Sequence, residues 1–308
     1  MPHSSHAKRT VGFIGLGVMG SSMAQHLLDA GCRLRVHTRT AARAQAFLDQ
    51  GAVWCATPSQ TAQGSEAVIS IVGFPADVEE IYLGENGILA QAAPDTLLID
   101  MTTSSPTLAR RIAEEAASRH CHALDAPVSG GDIGAREARL SIMAGGTVEA
   151  FERAYPLLQL MGSNIVRQGP AGSGQHTKMA NQIAIAAVML GVCESMAYAS
   201  RAGLDPAAVL RSISGGAAGS WSLSNLAPRI LAGDFAPGFY VKHFLKDMRI
   251  ALDSAAELGL ETPGLALAYQ MYERLSQFPG GAELGTQGLY HLYAKQPAAP
   301  DPAASSEK

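Results

Sequence analysis

The sequence predicts an α/β N-terminal domain with a mainly parallel, doubly wound sheet, followed by an all-α C-terminal domain. Three observations lead to this fold class. Between residues 10 and 166, short apolar runs alternate with segments of helical periodicity, a pattern typical of βαβ units. A glycine-rich turn separates the first apolar run from the first helical segment. After Gln168, strand-like runs disappear and long segments rich in Ala, Leu and Met take their place.

The predicted elements follow from these runs in chain order. Strands are predicted at VGFIG from Val11, LRVHT from Leu34, AVISIV from Ala67, TLLID from Thr96, HALDAP from His122 and LSIMAG from Leu140. Helices are predicted over 18–30, 177–202, 206–214, 239–258 and 263–278. The stretch GPAGSG at 169–174 predicts the domain boundary, giving an α/β domain over 10–168 and a helical domain over 169–295. The polar or Pro/Ala-rich ends, 1–9 and 296–308, are predicted to be disordered.

The composition excludes several classes of protein. The chain has 308 residues, of which 47% are hydrophobic and 16% are charged, so it is long enough for about two folded domains and too apolar for a disordered chain. Its formal net charge of −4 predicts no nucleic-acid partner and no anionic membrane surface as a partner. No uninterrupted apolar run reaches the roughly 20 residues of a spanning helix. Four scattered cysteines predict neither disulfides nor a metal site, which favours the cytoplasm.

The glycine-rich turn has the spacing of a phosphate-binding loop. Gly15, Gly17 and Gly20 follow the first predicted strand and open the first predicted helix. The first glycine permits the tight turn, the second lets the backbone approach a pyrophosphate, and the third allows close packing of helix and strand. The sequence therefore predicts dinucleotide binding. The predicted contacts are Gly15, Leu16, Gly17, Val18, Met19 and Gly20.

The end of the second predicted strand bears on the choice of cofactor. Thr38, Arg39 and Thr40 stand where an NAD enzyme often has an acidic residue for the ribose 2′-hydroxyl. A hydroxyl and a guanidinium suit a 2′-phosphate, so the sequence favours NADP(H) over NAD(H). The alternative is that Arg39 is a solvated residue that stacks on adenine with either cofactor.

Five ordered blocks between residues 10 and 290 resemble the β-hydroxyacid dehydrogenases, the family of 3-hydroxyisobutyrate dehydrogenase and tartronate semialdehyde reductase. The blocks are GFIGLGVMGSSMAQHL from Gly12, LLIDMTTSSP from Leu97, DAPVSGGDIGAREARLSIMAGG from Asp125, GSGQHTKMANQ from Gly172 and FLKDMRIAL from Phe244. The resemblance implies an N-terminal Rossmann domain, a long interdomain helix and a helical domain like that of 6-phosphogluconate dehydrogenase. It also implies NAD(P)-linked oxidation of an alcohol β to a carboxylate.

The predicted substrate carboxylate site is a serine with two glycines. Ser129, Gly130 and Gly131 follow an apolar strand, and the carboxyl ends of strands in open α/β sheets are where ligands bind. Peptide N–H groups of glycines form anion-binding nests, and the serine adds a hydroxyl. The alternative is a flexible turn without a ligand. The resemblance favours carboxylate binding.

Lys178 is the predicted catalytic residue. It lies near the start of a nearly apolar helical segment, and burial and a helix N-terminus both disfavour its charged form, which suits acid–base work. The resemblance implies that this lysine is the general acid/base. Asn181 and Gln182 lie on the same helix face and are predicted to position the alcohol or the lysine. The family motif usually reads Lys-x-x-Asn-Asn, so Gln182 departs from it and is predicted to reshape the site by about a methylene.

The remaining site residues rest on the resemblance alone. Lys246 is implied to reach the nicotinamide and the substrate, with Asp247 beside it among the cofactor contacts. The other implied cofactor contacts are Thr103 on the nicotinamide ribose side, and Val72, Gly73 and Phe74, which act through their backbone.

The sequence thus predicts an NAD(P)-dependent oxidoreductase that interconverts a small β-hydroxy acid and its semialdehyde or keto acid. Two alternatives remain open: imine reduction on the same fold, and a cofactor-binding module without turnover. The expected partners are a small carboxylate substrate and further copies of the chain, in a homodimer or homotetramer formed through the helical domain, because its helices are apolar on most faces. No metal is expected.

Overall fold

A computed structural model describes residues 9–294, which form an α/β unit and a helical unit. The division between these two compact units falls between Ala180 and Asn181, inside a long helix. The domain limits predicted above, 10–168 and 169–295, remain a prediction. The predicted disordered ends lie outside the described residues, except for Arg9, whose carbonyl accepts a hydrogen bond from the Arg33 N–H.

The first unit is built on one nine-stranded sheet, which confirms the predicted α/β class. Its order is β3-β2-β1-β4-β5-β6-β8-β7, with β9 paired to β8, and all pairings from β3 to β6 are parallel. Strand β8 is antiparallel to β6 and β7. The strands are β1 Thr10–Ile14, β2 Arg33–His37, β3 Val53–Trp54, β4 Ala67–Ser70, β5 Leu97–Asp100, β6 His122–Asp125, β7 Val128–Ser129, β8 Leu140–Gly146 and β9 Gly162–Gly169.

Helices cover both faces of this sheet, as the doubly wound prediction requires. Val11 and Phe13 of β1 pack into one apolar cluster, whereas Ile14 packs into the other, because successive strand residues point to opposite faces. Side chains of Thr57, Ser105 and Thr147 cap three of the helices. The helices are α1 Val18–Asp29, α2 Gln45–Leu48, α3 Pro58–Ala62, α4 Pro75–Leu83, α5 Pro106–Ser118, α6 Gly131–Arg136 and α7 Val148–Leu158.

The second unit is helical, as predicted. Over residues 181–294, the only sheet-like pairing described is an isolated bridge between Tyr240 and Gly285. The helices from residue 173 onward are α8 Ser173–Arg201, α9 Pro206–Ile213, α10 Trp221–Asn225, α11 Ala227–Leu231, α12 Val241–Glu257, α13 Pro263–Ser276 and α14 His291–Ala294. The long helix α8 begins in the first unit and continues into the second.

Helix α8 is long and apolar enough to cross a membrane, judged by length and composition alone. Of its most apolar 18-residue window, 44% is buried inside the protein. Core helices pass the same test, so one such helix is weak support for a membrane span. The sequence analysis found no spanning segment because it counted only uninterrupted apolar residues, whereas this test averages hydropathy over 18 residues.

Candidate active site

The turn between β1 and α1 needs glycine at two positions. Gly15 has a φ of 101°, and a Cβ there would overlap the carbonyl oxygen of Ile71. A Cβ on Gly20 would overlap the carbonyl oxygen of Gly15. The Gly15 N–H also donates to the carbonyl of His37 at the end of β2, over 2.9 Å. Strand, turn and helix are therefore held closely together.

Gly17 differs from its neighbours because it faces open space. A Cβ there would meet no atom within 4 Å. Gly17 is the N-cap of α1, it makes no side-chain cap, and the first turn of the helix has no acidic residue. The turn thus leaves room for an anion beside the positive end of a helix dipole, which fits the pyrophosphate of a dinucleotide. The six residues predicted to contact it run from Gly15 in this turn to Gly20 in the first turn of α1.

At the end of β2, Arg39 projects into solvent. Its side chain is 80% exposed, and its guanidinium lies 3.1 Å from Oδ1 of Asp77 in an ion pair. The other carboxylate oxygen of Asp77 accepts a hydrogen bond from the Phe74 N–H over 3.0 Å, at the start of α4. Thr38 is buried and Thr40 is exposed. Arg39, which follows β2, and Phe74, which precedes α4, therefore both contact Asp77, which was not among the predicted site residues.

Thr102 links two more of the predicted cofactor loops. Its Oγ1 accepts a hydrogen bond from the Val72 N–H over 3.0 Å. Val72 and Gly73 are half-buried and Phe74 is exposed, and half-buried Thr103 directly follows Thr102. The loop after β4 and the loop after β5 are thus joined by one side-chain bond.

Three polar residues form a row across the carboxyl ends of β4, β5 and β6. Ser70 pairs in register with Asp100, and Asp100 with Asp125. Asp100 Oδ1 accepts hydrogen bonds from Ser70 Oγ over 3.0 Å and from the Thr102 N–H over 3.1 Å. Burial raises the pKa of the Asp100 carboxyl to about 6, although these donors act against the rise.

The Asp125 carboxylate holds the start of α8. Its Oδ1 accepts from the Gly172 N–H over 2.7 Å, and its Oδ2 accepts from the Gln175 N–H over 2.8 Å. These are N–H groups that the first turn of a helix leaves without helical partners. Burial raises the pKa of this carboxyl to about 6 as well, and the peptide donors lower it only in part.

Lys178 lies one turn into α8 and is buried, with 6% of its surface exposed. Its Nζ donates to the carbonyl oxygen of Val128 over 2.7 Å. Val128 is followed directly by Ser129, Gly130 and Gly131, and the two glycines have φ values of 131° and 63°. Positive φ turns their peptide N–H groups in directions that other residues rarely adopt. Within the first unit, the structure therefore brings the predicted lysine to the segment predicted to bind a carboxylate.

In the second unit, four predicted residues form a chain of polar contacts. Asn181 Nδ2 donates to Gln182 Oε1 over 2.7 Å, and Gln182 Nε2 donates to Asp247 Oδ2 over 2.5 Å. Lys246 Nζ lies 2.8 Å from Asp247 Oδ1 in an ion pair. Gln182 is fully buried and Asp247 is 2% exposed. Gln182 therefore contacts both Asp247 and Asn181 through its side-chain amide.

Asp100, Asp125 and Gln175 lie within the sequence motifs described above but were not predicted to have a role. A signal was present, because two acidic residues each end an apolar strand and are therefore buried at the same edge of the sheet. Among the described residues, no group of three or more His, Cys, Asp or Glu side chains is placed to hold a metal ion, and the four cysteines are buried and free of disulfides.

The chain matches two families of known domains over most of its length. Residues 10–169 match the NAD binding domain of 6-phosphogluconate dehydrogenase, and residues 172–293 match the NAD-binding domain of NADP-dependent 3-hydroxyisobutyrate dehydrogenase. The fold and the glycine turn are those of an NAD(P)-binding protein. Relatives named 3-hydroxyisobutyrate dehydrogenase and 2-hydroxy-3-oxopropionate reductase show that the chain is an NAD(P)-dependent oxidoreductase that acts on CH–OH groups. The chain belongs to the β-hydroxyacid dehydrogenase family.

Individual relatives agree with this assignment. An uncharacterized oxidoreductase of Bacillus subtilis is 57% identical over 288 residues, which cover 94% of this chain and 100% of that protein. The 2-hydroxy-3-oxopropionate reductase of Escherichia coli is 39% identical over 91% of this chain and 95% of its own length. The structure of Mycobacterium tuberculosis 3-hydroxyisobutyrate dehydrogenase with L-serine aligns with a TM-score of 0.85 at 30% identity, covering 92% of this chain and 99% of that chain.

Proposed function

We propose that the protein interconverts a small β-hydroxy acid and its semialdehyde or keto acid with NADP(H), and that Lys178 is the general acid/base. The observation that carries the proposal is the position of Lys178. Its Nζ is buried and held by the Val128 carbonyl, immediately before the Ser129-Gly130-Gly131 segment. A lysine placed beside an anion-binding segment suits an alcohol that carries a carboxylate.

The substrate carboxylate is assigned to that segment. The Ser129 hydroxyl and the peptide N–H groups of Gly130 and Gly131 offer three donors and no negative charge of their own. Donors to an anion make stronger hydrogen bonds than donors to a neutral group. This contact fixes the acid end of the substrate and thereby orients its hydroxyl-bearing carbon.

Lys178 is assigned the proton of the alcohol. In oxidation Nζ, as the neutral amine, accepts the hydroxyl proton and becomes an ammonium, and in reduction the ammonium returns that proton to the carbonyl oxygen of the substrate. The nicotinamide cofactor supplies hydride acceptance and donation when it is bound. The Val128 carbonyl restrains the lysine amine, so that little conformational freedom is lost when substrate binds.

The family resemblance supports further roles for residues of the second unit. Asn181 and Lys246 are assigned to contacts with the substrate, and Lys246 also to the cofactor. Gln182 and Asp247 are assigned to holding these two side chains through the bonds described above. Buried Gln182 acts in this assignment through Asn181 and not by direct contact.

The preference for NADP(H) is supported by the end of β2. Residues 38–40 include no acidic side chain for a ribose 2′-hydroxyl, and Arg39 is exposed and offers a forked donor for a 2′-phosphate. Fluorescence titration with NADPH and with NADH measures the preference directly, and equal dissociation constants would contradict it.

Replacing Lys178 with Ala tests the proposed mechanism. Loss of a general acid/base is expected to lower kcat by about 100-fold or more, while the dissociation constant of NADPH stays nearly unchanged. Steady-state kinetics with a panel of β-hydroxy acids, semialdehydes and imines gives kcat and also separates imine reduction from alcohol oxidation. Lys242→Ala is the matched control, because this lysine pairs with exposed Glu283 and has no assigned role. Near-normal turnover of the Lys178 variant would exclude the assignment. If the unchanged protein binds the cofactor but turns over no substrate of the panel, a binding module is favoured.

We also propose that copies of the chain associate through the helical unit, in a cytoplasmic homodimer or homotetramer. Tyr198 of α8 is 74% exposed and Trp221 of α10 is 65% exposed, and Leu204 after α8 is 52% exposed. Apolar groups of this size at the surface mark interaction sites in many proteins. Light scattering at micromolar concentration is expected to give a multiple of the chain mass, and an active monomer would contradict the proposal.

A further inference from the structure

Gln175 joins three segments of the first unit through one buried amide. The residue is fully buried in the first turn of α8. Its Oε1 accepts from the Ser104 N–H over 2.9 Å, and its Nε2 donates to the Thr102 carbonyl over 2.7 Å. Its own peptide N–H donates to Asp125 over 2.8 Å. The loop after β5, the end of β6 and the start of α8 are therefore connected at this side chain.

The start of α8 has no room to shift against the sheet. A Cβ on Gly174 would lie 2.5 Å from the Asp125 carbonyl oxygen and would overlap the carbonyl of Met143 in β8. A Cβ on Gly145 would lie 2.6 Å from the Gly174 nitrogen. Backbone touches backbone here, so the helix start is fixed and the loop after β5 is the segment whose position depends on Gln175.

The loop after β5 and the start of α8, which Gln175 connects, each contain a residue that is assigned to the reaction. The loop that Gln175 binds at Thr102 and Ser104 contains Thr103, which is assigned to the ribose next to the nicotinamide. Lys178 follows Gln175 by three residues on the same helix and is assigned to the substrate proton. Hydride transfer and proton transfer act on the same carbon–oxygen group, so their relative placement sets the rate.

We propose that Gln175 is a positioning residue, which fixes the Thr103 loop relative to Lys178 by using both ends of its amide. This inference rests on the proposed function of Lys178. The amide is suited to the task because one end accepts and the other donates, and both partners are peptide groups of a single loop.

Gln175→Glu tests the proposal, because it keeps the shape and makes the donor depend on pH. A protonated glutamic acid donates to Thr102 and accepts from Ser104, as the amide does, whereas an ionised carboxylate has no proton for Thr102. The charged and titratable groups around this position are Asp125, Asp100 beyond Thr102, the pair His176 and Arg110, and Lys178 three residues further along α8. Burial and the two nearby buried carboxyls favour the protonated form of Glu at position 175 at the lower pH values of the assay.

The expected result is a pH-dependent ratio of kcat between the variant and the unchanged protein. The ratio should approach 1 near pH 5.5 and fall by about 10- to 100-fold near pH 8, the scale of a small misplacement of reacting groups. The dissociation constant of NADPH should change little. The primary isotope effect with 4-deuterated NADPH should rise with pH in the variant alone, since hydride transfer then limits turnover.

Three further variants make the outcome decisive. Gln175→Ala should give a low ratio that does not vary with pH, together with a raised isotope effect. Gln159→Glu makes the same change at an exposed position in the same unit and should keep a ratio near 1 throughout. Lys178→Ala separates the two proposals. Full activity of this variant would contradict the proposed role of Lys178, whereas the pH dependence of Gln175→Glu tests the role of Gln175. A flat ratio for Gln175→Glu, or unchanged kcat and isotope effect in Gln175→Ala, would overturn the role of Gln175.

Discussion

Two of the polar clusters described above, one around Asp125 and one around Asp247, are held in different ways. In the first unit, the hydrogen bonds described for the side chains of Asp125 and Gln175 all go to peptide groups. In the second unit, the described contacts of Gln182, Asp247 and Lys246 run from side chain to side chain. Peptide groups are fixed by the fold, whereas side chains depend on one another's rotamers.

This difference indicates where the protein can vary. A side chain that binds the backbone of a packed sheet must keep its length, because its partners do not adjust. A side chain that binds another side chain can change together with its partner. Gln182, the residue that departs from the usual family motif, lies in the second kind of cluster. Lys178, the proposed acid/base, is held by a main-chain carbonyl, as in the first kind.

Two glycines of α8, one in each unit, give the strongest test of this difference. Gly174→Ala adds a methyl group that overlaps main-chain oxygens of the sheet, so we expect a loss of about 3 kcal/mol or more in the free energy of unfolding. Gly191→Ala is the matched change in the second unit, where a Cβ meets nothing within 4 Å. That variant should be more stable by about 0.5–1 kcal/mol. Urea titration gives both values, and similar stabilities for the two variants would contradict the rigid start of α8.

The buried carboxyls predict a specific pH dependence of stability. The pKa of Asp100 is about 6 in the folded protein, above its usual value of about 3.9 in an unfolded chain. A raised folded pKa stabilises the fold fully below about pH 4, and that contribution is lost as pH rises through about 6. Relative to Asp100→Asn, the unchanged protein should lose up to about 3 kcal/mol between pH 4 and pH 7. Parallel pH profiles of the free energy of unfolding would show that this carboxyl does not titrate as described.

Gln182→Asn tests the polar contacts of the second unit. The shorter amide no longer reaches Asp247 and Asn181 together, so we expect kcat/KM to fall about tenfold with little change in cofactor affinity. Gln270→Asn shortens an exposed glutamine of the same unit and should have no effect. Unchanged kcat/KM in the Gln182 variant would mean that Asn181 is placed without its help.

Periodicity predicted most of the fold because the elements are regular. The helix predicted over 206–214 is α9, Pro206–Ile213, and the helix predicted over 263–278 is α13, Pro263–Ser276, where proline at the first turn marks each start. The strands β3, β7 and β9 were not predicted. Two of them have only two residues, and β9 is a largely exposed strand whose sequence, GSNIVRQG, lacks a continuous apolar run.

The candidate site was predictable where a residue carries its own chemical signal. Glycines at meaningful spacing and a lysine in an apolar helix are visible in the sequence. Gln175 and Asp77 are not, because their significance comes from partners 71 and 38 positions away in the chain. Contacts between segments that distant depend on how the sheet is ordered, which local patterns do not specify.

Under the proposed preference for NADP(H), the pairing of Arg39 with Asp77 puts two anions, the Asp77 carboxylate and a 2′-phosphate, in competition for one guanidinium. The guanidinium that is proposed to bind the 2′-phosphate already lies 3.1 Å from a carboxylate of its own chain. Dissolved salt screens exposed charges over about 8 Å at physiological ionic strength, and it weakens both attractions together. Selectivity is then a difference between two screened terms. It should decline with added salt less steeply than for an arginine that has no carboxylate to leave.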